Sequence, residues 1–341
     1  MRPKYFLVAA VLTLLFYVSL PSQAQSSWGV SKTLHIGGEG GWDYVTVDAP
    51  SHRLFITRTT HTMILDANSG NILGDVPGQK SAHGVAIVPA LNRGFITDGG
   101  GTGAIIVFDL KTYATLGRIP TMPDSDGIIY DAATNKVLAV SGDGNALMTF
   151  SPDIDPQAGK IDPPINLGGA PEALVADGAG KVYVDMADKD LVAVVDLKSR
   201  SVVARWPVAP GGRPTGLGID RAGHRLFIGC RNPQKLVVMN ADTGAVETSM
   251  PIGVGVDATE FSDGEAFASC RDGSLTIASS KAGHFDIEQV VKTPNGARTL
   301  GIDETTHRVY LPTADFEPAA SPTGRPKAIP GSFEIVAVAR P

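Results

Sequence analysis

Short apolar runs recur along the chain, and clusters of Gly, Pro, Asp and Asn separate them. The stretch 213–252 shows this pattern most clearly. β-Branched residues, Leu and Phe fill its runs, and turn-forming residues fill the gaps, which predicts strands rather than helices. The predicted strands are 217–220, 225–229, 235–240 and 245–252. Such a four-stranded meander exposes two apolar faces, so we expect similar units on both sides of it.

The pattern of 213–252 occurs seven times, at intervals of 40 to 46 residues. The first two strands of each unit align at 44–57, 84–97, 127–140, 173–185, 216–229, 259–269 and 299–312. A four-stranded repeat of this length is typical of a β-propeller blade. We therefore predict an all-β fold, a seven-bladed β-propeller of four-stranded antiparallel blades, formed as a single domain by residues 25–341.

The two ends of the chain are predicted to meet in the last blade. The final unit supplies only three strands, and residues 31–37 read like the missing one, so we expect this N-terminal strand to close the ring. The same unit contains a Pro-rich loop at 314–332, which joins its second and third strands. This loop is either an irregular insertion or a lid or partner-docking segment on the channel-mouth face.

The second strands of several units share a sequence signature. The segments LFIT (54–57), GFIT (94–97), VYVD (182–185) and VYLP (309–312) look like degenerate copies of the YVTN repeat. The chain after residue 24 resembles the YncE-like (YVTN repeat) family of exported bacterial seven-bladed β-propellers. The resemblance implies secretion and a propeller that binds a ligand or a partner, and it implies no particular reaction.

The N-terminus has the features of a targeting segment. Arg2 and Lys4 precede the apolar run 5–20, and small residues at Ser22 and Ala24 suit signal-peptide cleavage after Ala24. The alternative is an uncleaved anchor, although the run is short for a bilayer span. No later run is long enough to span a membrane, so we expect a periplasmic or secreted, monomeric mature protein.

Charge and cysteine content narrow the possible partners. The net charge of −6 argues against a broad nucleic-acid surface, which requires clustered Lys and Arg.

Cys230 and Cys270 occupy the same position in adjacent units. Equivalent side chains point the same way around a ring, so we predict two free, buried thiols rather than a disulfide.

One column of the repeat is predicted to surround the mouth of the central channel. Most neighbouring positions are small or apolar, whereas the residue just before the first strand is nearly always polar or charged. His61, in the loop between the second and third strands, shares this face. The predicted ligand-binding residues are Asp43, His61, His83, Asp126, Glu172, Asp257 and Arg298, and Thr215 completes the column.

The chemistry of this column leaves several interpretations open. The polar residues can simply hydrate the channel mouth, or they can form an acid–base cluster. His83, Asp126 and Glu172 come from consecutive units and can together hold a divalent metal cation. We favour an exported scaffold that binds a small molecule, a peptide or a cell-envelope partner. The alternative is a metal-assisted hydrolase or lyase with a lactonase-like mechanism.

The other candidate motifs give weaker evidence for a functional site. His52, His224 and His307 recur in the turn between the first and second strands, on the opposite face, which favours a turn or surface role. The Gly-rich stretch 99–103 has no following helix and no Lys-Ser/Thr, so it does not fit a phosphate loop. The chain contains no GxSxG and no HExxH motif.

Overall fold

The computed structural model describes residues 27–281, 283–318 and 326–341. The predicted signal peptide and the middle of the 314–332 loop lie outside these ranges, so their interpretation stays a prediction. No helix among the described residues has the length and apolar character needed to cross a membrane.

The described residues form short antiparallel strands joined by turns. Two single-turn 3₁₀ helices, Ala49–Ser51 and Pro89–Leu91, interrupt them. In chain order the strands are β1 Gly29–His35, β2 Val45–Asp48, β3 Arg53–Thr57, β4 Thr59–Asp66, β5 Ile72–Val88, β6 Arg93–Asp98, β7 Ala104–Asp109, β8 Thr115–Pro120, β9 Ser125–Asp131, β10 Lys136–Ser141, β11 Ala146–Phe150, β12 Ile165–Asn166, β13 Pro171–Ala176, β14 Lys181–Met186, β15 Leu191–Asp196, β16 Ser201–Pro207, β17 Pro214–Asp220, β18 Arg225–Arg231, β19 Gln234–Asn240, β20 Val246–Pro251, β21 Val256–Ser262, β22 Glu265–Cys270, β23 Ser274–Lys281, β24 His284–Lys292, β25 Gly301–Asp303, β26 Arg308–Thr313 and β27 Glu334–Ala339.

These strands build four-stranded antiparallel sheets, as the repeat predicts for a β-propeller. Within the described ranges, five sheets have four strands and one has seven, in the order β2-β3-β4-β5-β6-β7-β8. The seven-stranded sheet runs through β5, whose first part pairs with β4 and whose last part pairs with β6. The innermost strands β2, β5, β9, β13, β17, β21 and β25 contact one another in this order, and β25 contacts β2. A central channel therefore lies inside a closed circle of strands.

The N-terminal strand β1 pairs with the C-terminal strand β27. The paired residues run from Gly29 opposite Ala339 to His35 opposite Glu334, and the sheet order is β1-β27-β26-β25. The sequence analysis placed this strand at 31–37, whereas β1 begins two residues earlier and ends at His35. Gly37 has a φ of +79°, a left-handed conformation that a strand does not continue.

Arg58 fixes the segment that leads from β1 to the channel. Its guanidinium is 1% exposed and lies 3.7 Å from the ring centre of Phe333. Its Nε donates to the carbonyl of Gly41 at 3.0 Å, and its Nη2 donates to that of Glu39 at 2.8 Å. Burial lowers the pKa of Arg58 to about 10, which still leaves it charged at neutral pH. The charged group thus ties both chain ends to the start of the first sheet.

The turn histidines and the two cysteines have structural roles. His52, His224 and His307 each have a φ of 52°, the left-handed conformation that closes the turn between the first two strands. Cys230 and Cys270 are free and fully buried, which confirms the prediction of two buried thiols. Burial raises the pKa of Cys270 to about 12, so this thiol is not reactive at neutral pH.

A side-chain hydroxyl at the fifth residue of a second strand joins neighbouring repeat units. Thr57 donates to the carbonyl of His83 at 2.6 Å, and Thr97 donates to that of Asp126 at 2.6 Å. Ser269 donates to the carbonyl of Arg298 at 2.5 Å. Each acceptor belongs to a predicted channel-mouth residue of the next repeat unit. Each hydroxyl therefore anchors the backbone of one mouth position.

Asp185 occupies this fifth position in β14, where its carboxyl group is fully buried. Neither of its oxygens has a hydrogen-bond partner among the described residues. Burial raises the pKa of Asp185 well above its ordinary value, and the charge of Glu172 raises it further. A protonated carboxyl group can donate a hydrogen bond as the threonines do, so neutral Asp185 fits the position better than the carboxylate.

We predict that Asp185→Thr stabilises the protein at neutral pH by roughly 1–3 kcal/mol, because it removes a buried group that lacks a partner. The folded state holds the Asp185 proton above the ordinary carboxyl pKa of about 4, so wild-type stability falls as pH rises above that value. The advantage of Asp185→Thr should therefore grow with pH in urea denaturation. In the reciprocal control, Thr97→Val should lower the free energy of unfolding by about 1 kcal/mol, because it removes a hydroxyl donor. Lower stability of Asp185→Thr at every pH would contradict this prediction.

Candidate binding site at the channel mouth

The predicted mouth residues lie at or just before the innermost strands. His83 is in β5, Asp126 in β9 and Glu172 in β13, whereas Asp43 lies two residues before β2. The hydroxyl bonds from Thr57 and Thr97 hold the carbonyls of His83 and Asp126. The backbone N–H of Tyr44 also donates to the carbonyl of His83 at 3.2 Å. Backbone bonds between sheets thus set the spacing of these side chains.

His83 lies between two carboxyl groups from the neighbouring repeat units. Its Nδ1 is 2.7 Å from Oδ2 of Asp43 and 3.5 Å from Oδ1 of Asp126. Its Nε2 is 3.0 Å from the hydroxyl oxygen of Ser81. The three ionisable side chains are 18% to 29% exposed, so a ligand in the mouth can reach them although most of their surface is covered.

The charges of this group favour a protonated imidazole. Burial by itself would lower the pKa of His83, but the hydrogen bond to Asp43 and the charges of Asp126 and Asp43 outweigh it and raise the pKa to about 9. Burial raises the pKa of Asp126 well above its ordinary value, and the charge of Asp43 adds to this effect. The mouth therefore holds an imidazolium shared by two carboxyl groups.

Ser81, His83 and Asp43 have the connectivity of a serine–histidine–aspartate triad, with Nε2 toward the hydroxyl and Nδ1 toward the carboxylate. Activation of a serine requires a neutral imidazole that can accept its proton. The His83 pKa of about 9 leaves that nitrogen protonated at neutral pH, so it donates to Ser81 instead. In this protonation state, His83 does not activate Ser81 as a nucleophile.

A metal-binding arrangement is present in the same group. Asp43, His83 and Asp126 each offer one potential ligand atom, and these atoms lie within 4.8 Å of one another. The sequence analysis proposed Glu172 as the third ligand, whereas the side chain that meets His83 and Asp126 is Asp43. The reason is that His83 has Asp43 and Asp126 as its immediate neighbours in the ring, while Glu172 is one sheet farther away.

Glu172 extends the acidic side of the mouth. Burial raises its pKa, Arg231 opposes this rise, and the charges of Asp257 and Asp43 add to it. Within the described part of the chain, Glu172 is not part of an ion pair. The mouth thus places three carboxyl groups against one imidazole. We call this group the acidic arc, and it consists of Asp43, His83, Asp126 and Glu172.

The opposite side of the mouth carries guanidinium groups around a carboxylate. Asp257 forms ion pairs with Arg231 and with Arg298, the latter at 2.5 Å. Arg298 Nη2 also donates to the carbonyl of Trp42 at 3.3 Å. Asp257 and Arg298 therefore lie in one ion-pair network on the side of the mouth away from His83.

Two predicted mouth residues have other contacts, and two further residues join the site. His61 lies 3.9 Å from Asp75, and the buried Thr215 donates to the carbonyl of Arg213. Ser81 and Arg231 do belong to the mouth, and sequence reasoning did not include them. Arg231 is the last residue of β18, so an alignment of strand ends would have identified it, whereas Ser81 lies in the middle of β5.

The channel below the mouth has a volume of about 440 Å³. Its wall is mostly apolar, and Tyr44 lines its upper part. Burial raises the pKa of Tyr44 well above its ordinary value, and the charge of Asp126 raises it further, so its hydroxyl stays neutral. Glu260 adds a carboxyl group to the wall, and burial raises its pKa to about 8. The channel is thus weakly polar beneath a strongly charged mouth.

Comparison with known proteins supports the fold alone. The chain matches no protein-family model, and no curated protein is significantly similar to it in sequence. Among solved structures it resembles Kuenenia stuttgartiensis hydrazine synthase, with a TM-score of 0.68 and 13% identity over 81% of this chain and 94% of that chain.

Two WD40-type structures are also similar. The RRP9 WD40 repeats align with a TM-score of 0.74 and 11% identity over 93% of this chain and 99% of that chain. The U3-55K structure aligns with a TM-score of 0.73 and 11% identity over 91% of this chain and 99% of that chain. The protein therefore has a β-propeller fold, like these structures.

Proposed function

We propose that this protein is an exported β-propeller binding protein whose acidic arc binds a ligand that carries a cationic group. The observation that supports this proposal is the composition of the arc, in which one imidazolium faces three carboxyl groups. An incoming cation would relieve the charge repulsion that adds to the effect of burial on the carboxyl pKa values. The covered but reachable position of these groups would strengthen that attraction relative to an open surface.

The finer identity of the fold is part of the same proposal. We infer seven blades, because the two parts of β5 pair with different strands and divide the seven-stranded sheet into two blades that share one strand. The YVTN-like segments support membership of the YncE-like family. The features of residues 1–24 support export to the periplasm or the medium.

We predict that a diamine binds the mouth and that a matched diol does not. Isothermal titration at low salt should detect putrescine binding, with 1,4-butanediol as the uncharged control. Glu172→Gln and Asp126→Asn should each weaken putrescine binding about tenfold, since each removes a carboxyl group that would ionise as the cation binds. Asp263→Asn, in an exposed turn between the first and second strands of its blade, should have no effect. Equal binding of diamine and diol, or an equal loss in Asp263→Asn, would refute a cation site at the arc.

A divalent metal cation is the second candidate, favoured by the three ligand atoms within 4.8 Å of one another. Asp43 and Asp126 would supply carboxylate oxygens, and His83 would supply Nδ1 after loss of its proton. A metal bound there would lower the pKa of a bound water, as the hydrolase or lyase alternative requires. The amine and the metal would occupy the same space.

Metal titration distinguishes the two possible ligand sets. We predict one Mn²⁺ site per chain by electron paramagnetic resonance of chelator-treated protein. Asp43→Asn and His83→Gln should weaken Mn²⁺ binding by at least tenfold, because each removes a proposed ligand. Glu172→Gln should change it much less. A site lost in Glu172→Gln and retained in Asp43→Asn would contradict the proposed ligand set.

A further inference from the structure

One level of the channel wall carries a carboxyl group that the repeat does not require. In each unit, one residue of the innermost strand pairs with the second residue of the aligned second-strand segment, as Thr46 pairs with Phe55 of LFIT. All seven of these residues border the channel, and we call them the channel ring. The channel ring consists of Thr46, Ala86, Ile129, Val175, Gly218, Glu260 and Gly301. Six members have no ionisable group, so the scaffold does not account for the charge of Glu260.

Glu260 lies between the two charged ends of the channel. The mouth residue Asp257 precedes it by three residues in β21, which at about 3.3 Å per residue puts Glu260 about 10 Å below the mouth. Arg221 borders the other end, three residues beyond the ring member Gly218. Arg221 is exposed, and its Nε donates to the carbonyl of Ala176 at 2.9 Å. The carboxyl group of Glu260 is therefore inside the channel rather than at either opening.

The Glu260 side chain forms no ion pair with any residue that the structure describes. Asp257, the other carboxylate that borders the channel, is paired with two arginines. Burial raises the pKa of Glu260 to about 8, the charge of Glu304 adds to the rise, and a hydrogen bond from the backbone of Ile302 opposes it. The carboxyl group is therefore mostly protonated at neutral pH, because no cation offsets the cost of burying its charge.

The wall around Glu260 is aliphatic and only partly covered by the protein. Half-buried Val and Ile side chains border the channel at the ring and one residue below it. They are Val47, Ile87, Ile129, Val175, Ile219 and Ile302. The other titratable groups that border the channel in the described part of the chain are Tyr44, Tyr130, Asp257 and Arg221. The volume of about 440 Å³ lies in the usual range of small-molecule sites.

We propose that the channel binds an aliphatic amine, with its ammonium group on the Glu260 carboxylate and its hydrocarbon chain along the aliphatic wall. The ammonium group would act as the counter-ion of Glu260, and the carboxyl proton would pass to the solvent on binding. Each methylene group that the wall covers would tighten binding about fourfold. This site goes beyond the acidic arc, because it lies deeper and selects for an apolar chain. Neither site requires the other.

The test compares octylammonium with 1-octanol, which lacks the charge, and with ethylammonium, which lacks the chain. Isothermal titration of the purified protein at pH 8 should show octylammonium binding at least tenfold more tightly than either control. Glu260→Gln should reduce the affinity for octylammonium to that for 1-octanol, because an amide does not pair with the ammonium group as a carboxylate does.

Proton release gives a measurement that a purely structural role of Glu260 would not affect. Below its pKa of about 8, Glu260 must lose a proton when the ammonium group binds. The affinity for octylammonium should therefore rise about a hundredfold from pH 6 to pH 9, where the amine itself is still charged. His83 of the acidic arc also titrates near the top of this range. Glu260→Gln retains His83, so its affinity should not show this rise.

Matched variants separate the channel from the rest of the protein. Val175→Phe narrows the channel and should weaken octylammonium and 1-octanol alike, whereas Val203→Phe changes an exposed residue of the outer strand β16 and should have no effect. Glu247→Gln, in the outer strand β20, is the control for Glu260→Gln. Asp126→Asn, which should weaken putrescine binding at the acidic arc, should leave octylammonium binding unchanged. Circular dichroism melting curves check that each variant is folded.

Three outcomes would overturn the proposal. The first is that octylammonium does not bind at millimolar concentration. The second is equal affinity for octylammonium and 1-octanol, which would leave Glu260 without a role. The third is undiminished octylammonium binding in folded Glu260→Gln together with a loss in Asp126→Asn, which would place the amine at the acidic arc instead.

Discussion

A hydroxyl group at the end of one blade's second strand holds the backbone of the next blade at the channel mouth. Thr57, Thr97 and Ser269 make this bond to the carbonyls of His83, Asp126 and Arg298. A buried hydrogen bond of this kind contributes only about 1 kcal/mol to stability. Its greater effect is geometric, because it sets where each mouth side chain begins. A backbone interaction that recurs from blade to blade therefore fixes the position of mouth side chains that differ from blade to blade.

The arrangement of charge at the mouth follows from that spacing. Side chains from adjacent blades begin close together and point into one opening, so unlike residues are brought into contact across blade boundaries. Where the neighbours are Asp43, His83 and Asp126, a proton is shared between an imidazole and two carboxyl groups. Where they are Asp257 and Arg298, the charges are paired directly. The mouth thus has one side where three carboxyl groups face one imidazole and another side where one carboxylate is paired with two guanidinium groups.

The organisation of the fold could be predicted from the sequence because hydrophobic periodicity repeats along the whole chain. The same repeat identified the column of mouth residues and the turn histidines. It could not predict which mouth residues meet, since that depends on side-chain length and rotamer. Asp43 therefore takes the place expected of Glu172, and His61 lies against Asp75.

The packing of the irregular loops was also beyond prediction from the sequence. The Phe316 ring rests on Gly296, in a segment about twenty residues earlier in the chain. Loops carry no periodic signal that reports how they pack. The Pro-rich segment was recognisable as an insertion on the channel-mouth face, whereas the hairpin at its base follows only from the backbone hydrogen bonds of residues 315–317 and 327–329.

The central claim is that His83 is an imidazolium shared by two carboxyl groups, and its titration by nuclear magnetic resonance tests this most directly. Protein labelled with ¹³C in its histidine rings would be followed from pH 5 to pH 10, with His83→Gln used to assign the resonance. The account predicts that the His83 ring stays protonated through neutral pH and titrates near pH 9. A midpoint at or below the ordinary histidine value of about 6.5 would contradict it.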